Sequence, residues 1–181
     1  MTRDDAWTLV QSKVRNRNLQ KHMLAAEACM RSLARRLGSD EDAWGLTGLV
    51  HDVDYEDTKN DAARHGLAGA ALLEERGVAP DVINAVKAHA GNAPAGSTMD
   101  RALVAVDPLT GLIVAAALMH PDKKLAGLDT DFVMRRYREK RFAAGANREQ
   151  IAGCDSFGLP LGEFVGLCLA AMQGVAGDLG L

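Results

Sequence analysis

The sequence predicts an all-α protein. Three observations carry that expectation: apolar residues recur at steps of three and four along most of the 181 residues, no alternating run of strand length appears, and helix-starting and helix-stopping residues flank the periodic segments. A composition of 48% hydrophobic and 25% charged residues is that of a packed globular chain and argues against disorder. The length suits a single domain over residues 1–181, with a helical core at about 18–125 and a C-terminal helical extension at about 126–181.

Taken in order, the N-terminal "MTRDDAWTLVQSKVRNRN" is charged throughout and lacks the apolar centre of a signal peptide. Residues 18–37 then form the clearest amphipathic helix, with Leu19, Met23, Ala26, Met30, Leu33 and Leu37 on one stripe and Gly38 as its C-terminal cap. Ser39 or Asp40 caps a second helix reaching about residue 52. Asn60 or Asp61 starts a third that stops at Gly77, and Pro80 opens a fourth through about His89. After the loop "GNAPAGST", a long helix runs from Met99 to about Met119, bent by Pro108. "DTDFVMRRYREK", "NREQIAGCDSFG" and "PLGEFVGLCLAAMQGVAG" supply three further helices.

A net charge of -3 shows no nucleic-acid footprint at the whole-chain level. The apolar "GLIVAAALM" is too short to span a bilayer, so a cytoplasmic protein without a membrane partner is expected. Cys29, Cys154 and Cys168 lie far apart with no CxxC pair, which reads as buried free thiols rather than a disulfide framework or a thiolate metal site. Oligomeric state is left open, a homo-oligomer included.

The informative residues are polar ones that helical spacing turns inward. "WGLTGLVHDVDYEDTKND" runs from an apolar helix straight into His51, Asp52, Asp54, Glu56, Asp57 and Asp61. Clustered carboxylates repel, and a polar group facing a core needs a partner. His22 borders the apolar stripe of its helix, His51 and Asp52 end the next, and His65 shares a face with Leu72 and Leu73. His89 follows Val82 and Val86, and Asp107 follows Leu103 and Val104. One such histidine is most often a hydrogen-bonded core residue, and one such aspartate a cap or an ion-pair partner. Six on five helices would need six independent partners, whereas one cation would satisfy several together. Imidazole and carboxylate without thiolate suit a divalent Mn, Fe, Co, Ni, Zn or Mg ion. His120, beside Pro121 in a turn, reads as a surface residue.

The order His22, the adjacent His51-Asp52, then Asp107 resembles the H...HD...D signature of the HD superfamily of metal-dependent phosphohydrolases. "KHMLAAEA", "LTGLVHDVDYE" and "ALVAVDPLTGLI" carry the resemblance over about residues 18–118, and "KRFAAGANREQI" resembles the C-terminal part of a small subfamily of the HDIG type. The resemblance implies an HD-domain helical bundle and a metal held by His22, His51, Asp52 and Asp107. "RHGLAGAALL" is similar to a segment of two-metal members such as the HD-GYP proteins, which makes His65 a second-metal or phosphate ligand together with His89. Ala90 stands where a paired histidine is found, and Tyr55 where some members have Lys or Glu. One ion is therefore the slightly favoured expectation, and two the other.

On this reading Asp52 is catalytic as a ligand and as the bridge to any second ion. Asp54 or Glu56 would orient the water or protonate the leaving oxygen, unless both are solvated turn carboxylates. Lys123, Lys124, Arg135, Arg136, Arg141 and Arg148 are the cations available to line a phosphate approach, if they are not ordinary surface charges. The expected substrate is a small-molecule phosphate ester, a phosphomonoester or phosphodiester in a nucleotide or related compound. The alternative is a metal- and nucleotide-binding regulatory module with little turnover.

Overall fold

The computed structural model describes residues Met1 to Leu181 and contains eleven α-helices, two 3-10 turns and no strand. The helices are α1 (Arg3–Lys13), α2 (Arg17–Leu37), α3 (Glu41–Val50), α4 (Tyr55–Thr58), α5 (Leu67–Glu74) and α6 (Pro80–His89), followed by α7 (Thr98–Met119), α8 (Thr130–Arg138), α9 (Arg148–Ala152), α10 (Leu161–Gly174) and α11 (Ala176–Leu179). The all-α expectation holds. One contiguous apolar cluster of 45 buried residues runs from Ala6 in α1 to Leu179 in α11.

Packing follows from where side chains are small. α2 lies along α3 because Gly48 faces the α2 backbone: a Cβ there would sit 2.6 Å from the Ala26 carbonyl oxygen. That contact brings the two helices that carry His22 and His51 close together. α7 runs through the centre against α2, α6, α8 and α9, with its N-terminus closed by a Ser97–Asp100 capping box. The apolar run is longer than "GLIVAAALM" suggested. α7 has 22 residues and a most apolar window of mean hydropathy 2.1, long and apolar enough to cross a membrane by length and composition, and 56% of that window is buried within the fold.

Several elements differ from the sequence expectation, the short α4 and α11 among them, and two bear on the site. The charged N-terminus forms α1, closed by a Thr2–Asp5 capping box and burying Ala6, Leu9 and Val10. Arg3 ties it to the buried Glu27 of α2 at 2.8 Å, and Arg31 holds the same carboxylate at 3.1 Å. The third helix, expected from Asn60 or Asp61, starts only at Leu67. Gly66 has φ +76°, which breaks any continuous helix there, and the side chain satisfying the first turn of α5 is Asp54, whose Oδ2 accepts the N–H groups of Gly66 and Gly69 at 2.8 Å each.

The C-terminal helices pack on this core, α10 against α2 and both α8 and α9 against α7. Two of the cations expected to line a phosphate approach, Arg148 and Arg136, have partners elsewhere. The Arg148 guanidinium donates to the carbonyls of Tyr137, Glu139, Phe142, Ala143 and Ala146 and so organises the segment between α8 and α9. Arg136 pairs with Glu139 at 2.8 Å and lies over the rings of Phe132 and Phe142. Lys124 is exposed before the Leu125–Gly127 turn.

Candidate metal centre

Four imidazoles converge between α2, α3, α5 and α6, each with its Nδ1 already engaged. His51 Nδ1 lies 2.8 Å from the Gly48 carbonyl and His89 Nδ1 2.6 Å from the Val86 carbonyl, each three residues upstream. His65 Nδ1 lies 3.0 Å from Asp54 Oδ1. His22 Nδ1 lies 2.9 Å from Thr110 Oγ1, whose own proton goes to the Asp107 carbonyl at 2.9 Å, so the imidazole is the donor. Every one of these acceptors demands an N–H at Nδ1. In the neutral ring that leaves Nε2 as a bare lone pair.

All four Nε2 atoms face carboxylate oxygens. His22 Nε2 is 3.0 Å from Asp107 Oδ1 and 3.6 Å from Asp52 Oδ2, and His51 Nε2 is 3.8 Å and 3.5 Å from the same atoms. The Nε2 atoms of His22 and His51 are 3.1 Å apart. Two lone pairs and two anionic oxygens at these separations repel unless a proton or a metal ion sits among them. Ligand atoms roughly 2.0–2.2 Å from one ion lie about 3.0–3.6 Å from one another, so the donor set fits a divalent metal. Across Asp52 the pattern repeats: Oδ1 is 3.3 Å from His65 Nε2 and 3.4 Å from His89 Nε2. One carboxylate thus presents a different oxygen to each histidine pair.

The charge distribution matches. Burial pushes the Asp52 carboxyl up, but the surrounding imidazoles, His51 foremost, outweigh it and hold the group well below the usual range. Asp107 behaves in the same way, with burial opposed by the His22 hydrogen bond. Burial drives the His51 imidazole down, which favours the neutral ring. For His22 burial also pulls downward, yet Asp107 and Asp52 raise it overall. His65, between Asp52 and Asp54, is raised to about 10 in the metal-free protein.

The remaining sequence candidates are distributed unevenly. Asp54 is buried with its oxygens taken up by Gly66, Gly69 and His65, so it is neither solvated nor open toward the ligand set. Glu56 accepts the N–H of Asn16 at 2.5 Å and borders a cavity of about 510 Å³ that it shares with His22, Tyr55 and Lys59. Lys124 makes no contact with the histidine cluster. Ala90 packs against the turn that presents His65, its Cβ 2.8 Å from where a Gly66 Cβ would lie, so the close approach there depends on Gly66. His120 lies beside Asp122 and edge-on to Phe132, away from the centre. Sequence reasoning missed Thr110, whose hydroxyl fixes the His22 ring, and Lys21, whose neighbourhood depends on α11.

Comparison with known proteins gives a match to the family model described as HD domain over residues 19–117. The chain belongs to the HD-domain family. The match spans all of His22, His51, Asp52, His65, His89 and Asp107, and the family's cofactors are divalent metals. HD-domain relatives include Ribonuclease Y of Sulfurovum sp. (strain NBC37-1), 28% identical over 135 residues, covering 73% of this chain and 26% of that protein. Ribonuclease Y of Oleidesulfovibrio alaskensis is 28% identical over 96 residues, covering 53% of this chain and 18% of that protein. The chain therefore spans about a quarter or less of the length of these relatives. No solved structure matches it significantly.

Proposed function

We propose that this HD domain is a metal-dependent phosphohydrolase that cleaves a phosphate ester in a nucleotide or related small molecule, with Asp52 bridging two divalent ions. The observation that carries the reading is the division of the Asp52 carboxylate, Oδ2 toward His22 and His51 and Oδ1 toward His65 and His89. It favours two ions over the single ion suggested by Ala90, because His65 and His89 meet the bridging carboxylate without a further histidine. His22, His51 and Asp107 complete the first set.

Ions held there supply Lewis-acid polarisation of a phosphate oxygen and a water acidified enough to attack phosphorus. The chain's own part is to hold the ligands rigid: backbone carbonyls, Thr110 and Asp54 fix each ring before anything binds. Glu56, kept ionised by the Asn16 N–H and bordering the cavity beside His22, is placed to orient water rather than to donate a proton. Asp54 has no oxygen to spare for that work.

A regulatory module with little turnover is the second reading. Asp54 being fully engaged, with Tyr55 next to it in place of a Lys or Glu, favours it by removing the nearest general acid. Metal counting and a hydrolysis panel separate the two. Protein incubated with Mn or Ni is expected to hold two ions per chain, His65→Ala one, and Asp52→Ala none. The panel spans phosphomonoesters, nucleotides, cyclic dinucleotides and, given the Ribonuclease Y relatives, a short RNA. Absence of bound metal after incubation would overturn both readings; metal without hydrolysis of any member would select the regulatory one.

A further inference from the structure

Beside His22 a cavity of about 430 Å³ opens between α2, α7 and α11. Near the ligand set its wall is polar, with Asn18, Lys21 and Thr110; farther along α7 and α11 it turns apolar, with Val114, Leu118 and Leu179. Asp107, Gly111, Val114 and Leu118 follow one another at steps of four, three and four along α7, so this wall begins at a ligand and continues down one helix face.

Two residues mark the cavity as kept open for an occupant. Gly111 lies inside α7, one turn after Asp107, and a Cβ there would meet nothing within 4 Å. Glycine within a helix costs roughly 1 kcal/mol against alanine, and no packing constraint in the protein asks for it. Lys21 lines the same cavity with its ammonium against Gly180, where a Cβ would lie 2.8 Å from Nζ, and it makes no ion pair or hydrogen bond within the chain. It is a half-buried cation without an anion, next to a residue that ligates metal.

We propose that this cavity seats the organic group of a phosphate monoester, ring-sized and apolar at its far end, with Gly111 holding the entrance open and Lys21 facing a phosphate oxygen. The volume lies in the range of small-molecule sites. The proposal rests on the phosphohydrolase reading and adds the chemical class of the substrate.

Binding of non-hydrolysable probes to the Mn-loaded protein tests it, measured by calorimetry. Phenylphosphonate is expected to bind about tenfold more tightly than methylphosphonate, because its ring leaves water for the apolar end. Gly111→Leu should abolish that preference while leaving metal content unchanged. Gly111→Ala should raise thermal stability and reduce the preference in part, and Lys21→Gln should weaken both probes. Equal affinity of the two probes for the wild type, or a preference that survives Gly111→Leu, overturns the cavity assignment and leaves the phosphohydrolase reading standing. A short oligoribonucleotide that binds more tightly than phenylphosphonate and ignores Gly111→Leu likewise overturns it in favour of an open RNA groove. Failure of methylphosphonate to bind metal-loaded protein removes the phosphohydrolase reading, and the cavity assignment with it.

Discussion

Asp54 accepts the Nδ1–H of His65 at 3.0 Å, and the same ring places Nε2 3.3 Å from Asp52. Asp54 thereby aims His65, while its other oxygen pins the first turn of α5 that carries the ring into place. Asp54→Asn keeps the shape but sets an amide where three donors converge. Metal affinity at the His65 side is expected to fall roughly 10–100-fold. Titration should show the weaker of two sites lost and the His22 side retained; loss of both together would mean that Asp54 acts on the whole fold.

His65 also sets a pH dependence. Its folded pKa of about 10 lies above the ordinary 6.5, so its stabilisation of the metal-free protein is complete below 6.5 and is lost as pH rises through about 10. Melting temperatures of chelated protein should fall across that window, and His65→Gln should flatten the fall. Metal affinity runs the other way, since ligation displaces a proton and one proton changes affinity by at most about tenfold per pH unit.

Gly48 predicts a coupling between packing and ligation. Its missing Cβ lets α2 approach α3, and its carbonyl orients the His51 ring. Gly48→Ala should cost about 1–3 kcal/mol by overpacking and spread His22 from His51. Chemical denaturation and metal titration should both register the change, whereas a stability loss without an affinity loss would place the strain elsewhere.

Arg148 should matter for folding rather than for substrate. Its five carbonyl partners lie between α8 and α9, and Arg148→Met leaves them without that donor, at a cost of about 1–3 kcal/mol. Hydrolysis and phosphonate binding at a temperature where the variant is folded should match the wild type.

The sequence exposed the histidine–aspartate cluster because side-chain type and helical spacing carry it: His22, His51, Asp52, His65, His89 and Asp107 meet where their helices' inward faces meet. α2, α3, α6 and α7 were legible for the same reason, helped by Gly38 at the end of α2, Ser39 or Asp40 before α3 and Pro80 at the start of α6. The fixing of the imidazoles was not, since two of the four acceptors are backbone carbonyls that any residue supplies. α1 escaped notice because its charged residues outnumber the short Ala6, Leu9, Val10 stripe. The start of α5 was misplaced because its cap, Asp54, comes from twelve residues before Gly66. Arg148 shows the limit for cations, since its five carbonyl partners come from packing that a local pattern does not contain.

The carbonyls of Gly48 and Val86 belong to the last turns of α3 and α6, and each of these helix ends bears a partial negative charge of roughly half an electron. Asp52 and Asp107, both held toward the ionised form, add to that negative charge, and the cationic His65 offsets part of it. Ions bound there as proposed would turn the local field positive, and an anionic ester would then be held more strongly than by the metal-free centre. Excess phosphate added before metal would not block loading at the protein, and the ions would remain as a resident part of the centre while esters come and go.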